Sequence, residues 1–304
     1  MRGRSYQGTA DTVSKWHDLP AALRASRIGV LGLQETHLQD EHVRSIEQIH
    51  GRQFQLFNSS DPDSPGASAG VAFALNRSLV RVDSCAFHVL VPGRAAILTM
   101  TWHHDLRLTI LNVYAPTAPG PQATFWTQVL EAWQLSGLPA PDFFMGDHNI
   151  VDNTNDRAPP RAENAAALEA FCELCLALNV QDAWRASYPD SRQFTFRSLG
   201  RTPQTHSRLD RIYVAAPLCG SVYEWDVLPS PFRSDHLLVS VRYAPPTAPE
   251  LGEGRWTLPM RLTSDKTFLS FVTKSGLALE EALSDLPAVR TNDRNAQLLW
   301  QKFK

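Results

Sequence analysis

Residues 28–37 read IGVLGLQETH, a run of apolar residues that ends in polar ones. A short apolar run of this kind is typical of a buried β-strand, and it places Glu35 at the end of the strand. Residues 143–149, FFMGDHN, show the same arrangement, with Asp147 and Asn149 following a buried-looking strand and a glycine turn. Loops at the ends of strands on a rigid sheet commonly hold functional groups. Both stretches therefore predict strands whose ends carry candidate functional side chains.

Two further segments combine apolar runs with charged residues. Residues 207–214, SRLDRIYV, place Asp210 inside an otherwise apolar strand, where an unpaired charge is costly, so a partner is expected. Residues 234–239, SDHLLV, place Asp235 and His236 next to each other at the start of another strand. Each segment taken alone also fits an ordinary role, such as a solvated loop residue, an Asp or Asn turn, or a packed histidine. The functional interpretation depends on the four segments together.

The rest of the pattern predicts a mixed α/β architecture. Helix-period runs at residues 14–26, 40–50, 122–135 and 163–178 are interspersed with strand-like runs as far as residue 243. This number of strands with interspersed helices predicts two packed β-sheets flanked by helices. A proline-rich connector begins near residue 245, and helical patterns follow at residues 267–283 and 293–303. We therefore expect one large domain over residues 1–245 and a linker with a helical segment over residues 246–304.

The composition narrows the classes of protein that the chain can represent. A chain of 304 residues, 43% of them hydrophobic, can bury one large core. The net charge of −2 gives no overall basic field for nucleic acid, so any DNA binding must use a local patch. Four cysteines are too few for a disulfide framework, and Cys172 and Cys175 are expected to pack on a buried helix face that includes Leu176. Neither a signal peptide nor an apolar span of ~20 residues is recognisable, which predicts an intracellular protein without membrane contact.

The polar segments occur in an order that resembles a known motif series. QETH (residues 34–37), NVYAPT (112–117), GDHN (146–149), RLDRIY (208–213) and SDHLLV (234–239) resemble the endonuclease/exonuclease/phosphatase superfamily over roughly residues 12–243. Residues 15–17 (KWH), 28–38 and 194–196 (FTF) are most similar to the apurinic/apyrimidinic-endonuclease-like domain of LINE-type (non-LTR) retrotransposon polyproteins. GRWTLP at residues 254–259 and LWQKFK at residues 299–304 resemble the connector that precedes a reverse transcriptase in such polyproteins. The resemblance implies a DNase I-like four-layer α/β sandwich and a phosphodiesterase that nicks DNA.

The resemblance also implies a role for each motif residue. Glu35 is expected to bind a divalent metal, with Asp235 close by as a second carboxylate; oxygen ligands and a phosphate substrate favour Mg²⁺, with Mn²⁺ as a substitute. Asp147 is expected to orient or deprotonate the attacking water, and Asn149 to hold a non-bridging phosphate oxygen. His236 is expected to contact the scissile phosphate and stabilise charge in the transition state.

Further expectations concern the partner of the histidine and the substrate. Asp210 is expected to pair with His236, and the hydroxyl of Tyr114 to lie near the phosphate or the leaving oxygen. The implied reaction is in-line attack of water without a covalent enzyme intermediate. DNA is the expected partner, without an obligate protein partner, and the nucleus is the expected site of action. The candidate DNA-phosphate contacts are arginines in or beside the motif loops, each of which also fits a solvated surface residue: Arg157, Arg201 and Arg208.

Two features depart from the family pattern. The family begins with a strand that carries an asparagine just before a segment like residues 1–4, and this chain starts at Met1. We therefore expect an unpaired edge in a central sheet and reduced or absent nuclease activity. The second departure is His148, which stands where the Asp-x-Asn loop of the family often has an apolar residue.

Two other functions are compatible with these motifs. A phosphoinositide or sphingolipid phosphodiesterase uses the same metal and histidine chemistry, but the chain has no membrane-directed amphipathic or polybasic stretch that would support one. A catalytically inactive remnant of a mobile element would bind nucleic acid at most. The presence of all the motif residues argues against long decay.

Overall fold

A computed structural model describes residues 14–102, 106–198, 204–230, 234–245, 248, 262–263, 265–286, 291 and 295–303. The chain divides into two compact units, Met1–Ala248 and Pro249–Lys304. In the first unit the helices are α1 (Ser14–Ala25), α2 (Asp40–His50), α3 (Pro119–Ser136), α4 (Ala165–Leu178) and α5 (Ala183–Ser187). Its strands are β1 (Val30–Gln34), β2 (Phe54–Ser59), β3 (Val71–Asn76), β4 (Ala86–Val91), β5 (Ala95–Thr101), β6 (Arg107–Tyr114), β7 (Phe143–Asp147), β8 (Arg157–Ala158), β9 (Val180–Gln181), β10 (Phe196–Arg197), β11 (His206–Ser207), β12 (Asp210–Ala215), β13 (Val222–Pro229) and β14 (Leu237–Tyr243).

The largest sheet has six strands in the order β4-β5-β6-β7-β12-β9. Only β6 and β7 run parallel, and the connection between them is α3. A parallel pair needs such a crossover because the chain must return to the same end of the sheet. The other pairings in this sheet are antiparallel.

Strands β1, β3 and β2 form a second sheet in that order, and β13 and β14 form an antiparallel pair. On the side away from β3, β1 pairs with no strand among the residues that the structure describes. Both β1 and the start of β14 line one open cleft, together with α1. The small strands β10, β11 and β8 make a separate three-stranded sheet.

Three apolar cores separate four layers. The first lies between the six-stranded sheet and the helices α3 and α4, and is built around Trp126, Phe144 and Phe171. The second lies between the facing sheets, where Phe73 of β3 packs with Leu98 of β5. The third core lies between the β1-β3-β2 sheet and the helices α1 and α2. The alternation of side chains along β3 produces this arrangement, because Val71, Phe73 and Leu75 belong to the second core and Ala72 and Ala74 to the third. The prediction of two packed sheets flanked by helices is confirmed.

The cysteine helix differs from the sequence-based prediction. In α4, Phe171 and Leu174 are buried, but Leu176 is 81% exposed and Cys172 is also exposed. Leu176 lies two positions from Leu174, which is more than half a turn around an α-helix and places it on the solvent side. The expected packing of Cys172 and Leu176 in the core is therefore wrong, whereas Cys175 packs partly against the first core.

The second unit contains two described helices, α6 (Lys266–Ser284) and α7 (Ala296–Phe303). Asp265 caps α6, since its side chain accepts hydrogen bonds from the backbone N–H groups of Thr267 and Phe268. None of the helices in the described part of the chain has the length and apolar character needed to cross a membrane.

Candidate active site

Three neighbouring strands bring the central polar residues to one edge of the six-stranded sheet. Tyr114, the last residue of β6, lies opposite Asp147, the last residue of β7. Asp147 in turn lies opposite Asp210, the first residue of β12. Because the strands are hydrogen-bonded neighbours, residues in the same register lie about 5 Å apart at their Cα atoms. Sheet pairing alone therefore gathers three residues that are far apart in the sequence.

Glu35 approaches this edge from the facing sheet. It directly follows β1 and has the left-handed backbone conformation, with φ of 52°. Its Oε1 atom accepts a hydrogen bond from the hydroxyl of Tyr114. Burial raises the pKa of Tyr114, and the negative charge of Glu35 raises it further, so the phenol stays protonated and acts as a donor at neutral pH.

A sharp turn after β7 orients Asp147 and Asn149. Gly146 has φ of 138°, and a Cβ atom there would lie 2.0 Å from the carbonyl oxygen of Val113, so only glycine fits. The backbone N–H of Asn149 donates to Asp147 Oδ1 at 3.1 Å, and its side-chain Nδ2 donates to Asp147 Oδ2 at 3.2 Å. The same Nδ2 donates to the carbonyl oxygen of Ala115 at 2.9 Å. Asn149 thus holds the Asp147 carboxylate in place.

Asp147 lies in an unusual electrostatic environment. It is 6% exposed. Burial and the negative charge of Asp210 raise the pKa of Asp147 to about 7, although the neighbouring His236 and the Asn149 N–H act in the opposite direction. A carboxyl group with a pKa near neutrality exchanges protons readily at physiological pH, as a general base must.

His236 and Asp210 form the pair that the sequence predicted. His236 Nδ1 lies 2.8 Å from Asp210 Oδ2. Burial alone would lower the pKa of His236, but the charge of Asp210 and the hydrogen bond to it, with smaller contributions from Asp147 and Asp235, raise it to about 9. The imidazole is therefore cationic at neutral pH. His236 is thus the partner that the sequence predicted for Asp210.

The donor atoms at this edge suit a hard divalent cation. One ligand atom from each of Asp147, Asp210 and His236 lies within 4.8 Å of the others. Because the cationic His236 offers no lone pair, the carboxylates are the groups here that a cation could bind. These three residues and Glu35 line the active-site cleft, the cleft between β1 and β14 described above. The negative charge of Asp210 raises the pKa of Asp147, and a cation bound beside the two carboxylates would offset their repulsion. Carboxylate oxygens are the ligands that hard divalent cations prefer. Asp235, the other expected ligand, is exposed next to His236.

The arginines expected to contact DNA are placed differently. Arg208 is 4% exposed, and its guanidinium binds Asp156 at 2.9 and 2.6 Å and also Asp182. Its Cζ atom lies 4.7 Å from the centroid of the Trp184 ring. Since this network leaves the guanidinium buried and paired, the expectation that Arg208 contacts a phosphate is corrected to a structural role.

Arg157 is also bound internally. Its Nη1 atom lies 2.6 Å from Glu163 Oε1, its Nε donates to Ser207 Oγ at 3.1 Å, and its side chain is 10% exposed. The side chain already has an acidic partner, and the contact of Arg157 with DNA stays a prediction. Arg201 lies outside the described residues.

Sequence reasoning missed one residue near the site and noted a second without assigning it a role. The first is Arg94, whose Cζ lies 4.8 Å from the centroid of the Tyr114 ring, and the Gly-Arg pair before β5 was a signal that could have indicated it. The second is His148, which is fully buried against Trp126, Phe144 and Tyr213. Burial and the positive charge of Arg211 hold the pKa of His148 well below its usual value. His148 therefore serves as a neutral core ring where the family often has an apolar residue.

Comparisons with known proteins agree with this geometry. The chain is 27% identical over 252 residues to the transposon TX1 uncharacterized 149 kDa protein of Xenopus laevis, covering 82% of this chain and 18% of that protein. The chain thus spans less than a fifth of the length of this curated relative.

Solved structures share the fold. AP endonuclease LMAP from Leishmania major superposes with a TM-score of 0.62 at 18% identity, covering 77% of this chain and 84% of that one. The endonuclease domain of TRAS1, a telomere-specific non-LTR retrotransposon, superposes with a TM-score of 0.53 at 12% identity, covering 75% and 91%. The Endonuclease/Exonuclease/phosphatase family matches residues 7–236, which include every motif residue assigned above. With its strand-edge carboxylates and its Asp210–His236 pair, the chain belongs to the Endonuclease/Exonuclease/phosphatase family.

Proposed function

We propose that this protein is a Mg²⁺-dependent phosphodiesterase that nicks DNA. The observation that carries the proposal is the Asp210–His236 pair, with its 2.8 Å contact, beside the buried Asp147 in one cleft. A cationic imidazole next to a carboxyl group whose pKa is near 7 supplies both a charge stabiliser and a base.

Each residue of the site has a part in the proposed hydrolysis. Asp147 orients the attacking water and accepts its proton. His236 uses Nδ1 to bind Asp210, so its Nε2 is the nitrogen that donates to an oxygen of the scissile phosphate. Water attacks phosphorus, the bond to the leaving oxygen breaks, and the leaving oxygen takes up a proton from solvent, to which Asp147 returns the proton it accepted. Asp210 stays ionised and keeps the imidazole oriented.

Metal binding is assigned to the other carboxylates. Glu35 and Asp235 would hold Mg²⁺, or Mn²⁺ in its place, with oxygen ligands. When bound, the ion supplies Lewis-acid stabilisation of the charge on the phosphate. Tyr114 orients Glu35 through its hydroxyl hydrogen bond. The guanidinium of Arg94 lies over the ring of Tyr114, and this half-buried cation is suited to bind a DNA phosphate.

The biological setting that we propose is target-site cleavage by a mobile element. The curated relative is named as a transposon protein, and TRAS1 is named as a non-LTR retrotransposon. Both resemblances support a DNA substrate, and the nucleus is the site of action that we propose. The AP endonuclease of Leishmania major supports the same substrate class.

Nicking of supercoiled plasmid by the purified chain tests the proposal. We expect open-circle product with Mg²⁺ and none with EDTA, and losses of at least about 100-fold in Asp147→Asn and His236→Ala. The matched controls Asp226→Asn, on exposed β13, and His88→Ala, on the far edge strand β4, should nick like the parent chain.

Other results would point to the competing functions. DNA binding that is insensitive to Mg²⁺, without cleavage, would indicate an inactive protein. Hydrolysis of phosphoinositides without nicking would identify a lipid substrate. Cleavage that survives both active-site substitutions would overturn the assignment of the site.

A further inference from the structure

The FTF motif at residues 194–196 lies between the two halves of the catalytic pair. Phe196 belongs to β10, which pairs with β11, the strand just before β12 and Asp210. Phe196 also forms a β-bridge with His236. The short segment 194–196 therefore contacts both the strand that bears Asp210 and the strand that follows His236.

Thr195 makes the contacts on the Asp210 side. Its side-chain Oγ1 accepts hydrogen bonds from the backbone N–H groups of Leu209 and Asp210, both at 3.0 Å. Two donors use both lone pairs of the hydroxyl oxygen. Thr195 is 1% exposed, so water cannot readily replace either bond. The hydroxyl thus determines the position of the backbone from which the Asp210 carboxylate projects.

The main chain of the same residue makes the contact on the His236 side. The carbonyl oxygen of Thr195 accepts the N–H of Leu237 at 2.8 Å, and its own N–H donates to Ser207 at 3.0 Å. The ring of Phe196 packs on the imidazole, with centroids 4.8 Å apart and planes at 41°. Backbone and ring together restrict where His236 can lie.

We propose that Thr195 is a positioning residue for the Asp210–His236 pair, with its hydroxyl holding the Asp210 backbone and its carbonyl holding the strand after His236. This inference rests on the proposed function, because it assigns Thr195 an effect on hydrolysis through that pair. A displacement of about 1 Å in a catalytic group can cost about 100-fold in rate. In this role the Thr195 hydroxyl accepts two backbone N–H groups. Serine keeps that acceptor and should support hydrolysis, whereas valine lacks it and should not.

A double-mutant cycle separates positioning from general stability. In plasmid nicking with Mg²⁺, Thr195→Val should lower kcat about 100-fold and change KM less than about 3-fold. Thr195→Ser should stay within about 3-fold of the parent chain. In an Asp210→Asn background the ion pair is already lost, so Thr195→Val should lower kcat by less than about a further 3-fold.

Ser198→Ala is the matched control. Ser198 is also buried and carries a hydroxyl that accepts the N–H of Thr205 at 2.9 Å. It stabilises the neighbouring turn without contacting Asp210 or Leu237, and Ser198→Ala should keep kcat within about 3-fold. Equal losses in Ser198→Ala and Thr195→Val, or full additivity with Asp210→Asn, would reduce Thr195 to an ordinary structural residue.

An NMR measurement on the metal-free protein tests the same inference without activity. The Nδ1 proton of His236, hydrogen-bonded to Asp210, should give a downfield resonance in the parent chain, Thr195→Ser and Ser198→Ala, and should broaden or vanish in Thr195→Val. If the parent chain fails to nick DNA but this pattern holds, the proposed function fails and the positioning role stands. If the parent chain nicks but Thr195→Val leaves both kcat and the resonance unchanged, the inference alone is overturned.

Discussion

Replacing Asp210 by asparagine should move the pKa of His236 by more than two units. Asp210 supplies the largest attraction for the imidazolium, through its charge and its 2.8 Å hydrogen bond to Nδ1. Without that charge, the burial that opposes the cation remains. We therefore expect the pKa to fall from about 9 to the ordinary value of 6.5 or below.

The size of the effect follows from these values. The difference between about 9 and 6.5 corresponds to about 3 kcal/mol in favour of the charged imidazole. This is an upper estimate, since the side chain of His236 is 25% exposed and solvent screens the pair. At pH 7.5 about 97% of the imidazole is charged with a pKa of 9, but only about 9% with a pKa of 6.5.

Stability should follow the same titration. Folding raises the pKa of His236, so its stabilising contribution is complete below pH 6.5 and is lost as the pH rises through about 9. The parent chain should thus lose up to about 3 kcal/mol of unfolding free energy across this window through His236. Asp210→Asn should lose little there through the same residue.

The assay is an NMR titration of the Cε1 proton of His236 in metal-free protein between pH 5 and 10, in parent and Asp210→Asn chains. Urea unfolding at pH 6.5 and pH 9.5 gives the second readout. Arg242→Met, which removes an exposed ion pair with Glu224, is a control that should leave the titration unchanged. A pKa of His236 near 6.5 in the parent chain, or one that stays near 9 in Asp210→Asn, would refute the reasoning.

Three further substitutions test a tight turn, a buried ion pair and a hydrogen bond at or below the active site. Gly146→Ala should destabilise the fold by about 3 kcal/mol or more, because the added Cβ would lie 2.0 Å from a carbonyl oxygen, whereas Gly220→Ala, in open space, should be nearly neutral by thermal melting. Arg211→Met should lower the free energy of unfolding in urea by about 3 kcal/mol, because Arg211 is 1% exposed and its guanidinium bonds Asp152 at 2.5 Å. The control Arg242→Met, at an exposed ion pair, should lower it by less than about 1 kcal/mol, and equal losses would contradict the prediction. Tyr114→Phe should lower kcat for nicking about 10-fold with an unchanged circular dichroism spectrum, because it removes only the hydroxyl that donates to Glu35; unaltered kcat would show that the bond is dispensable.

Much of the site could be predicted from the sequence. The apolar runs before Glu35 and Asp147 and the run around Asp210 encode strands locally, because the period of hydrophobic residues and the turn residues are properties of neighbouring positions. The same local pattern predicted two sheets and flanking helices. The expected partner of Asp210 followed from the cost of an unpaired charge in an apolar strand, and it is His236.

Only the tertiary structure decided which polar residues face the cleft and which are bound inside. Arg208 looked like a phosphate contact, but Asp156, 52 residues away, and Asp182, 26 residues away, close over its guanidinium. Asn149 was expected to hold a phosphate oxygen; the fold adds hydrogen bonds from its amide to Asp147 and Ala115, and the phosphate contact stays a prediction. The physical reason is that a long polar side chain has the same local sequence signal whether its partner is solvent, substrate or another residue. The choice is made by distant strands and loops when they pair and pack.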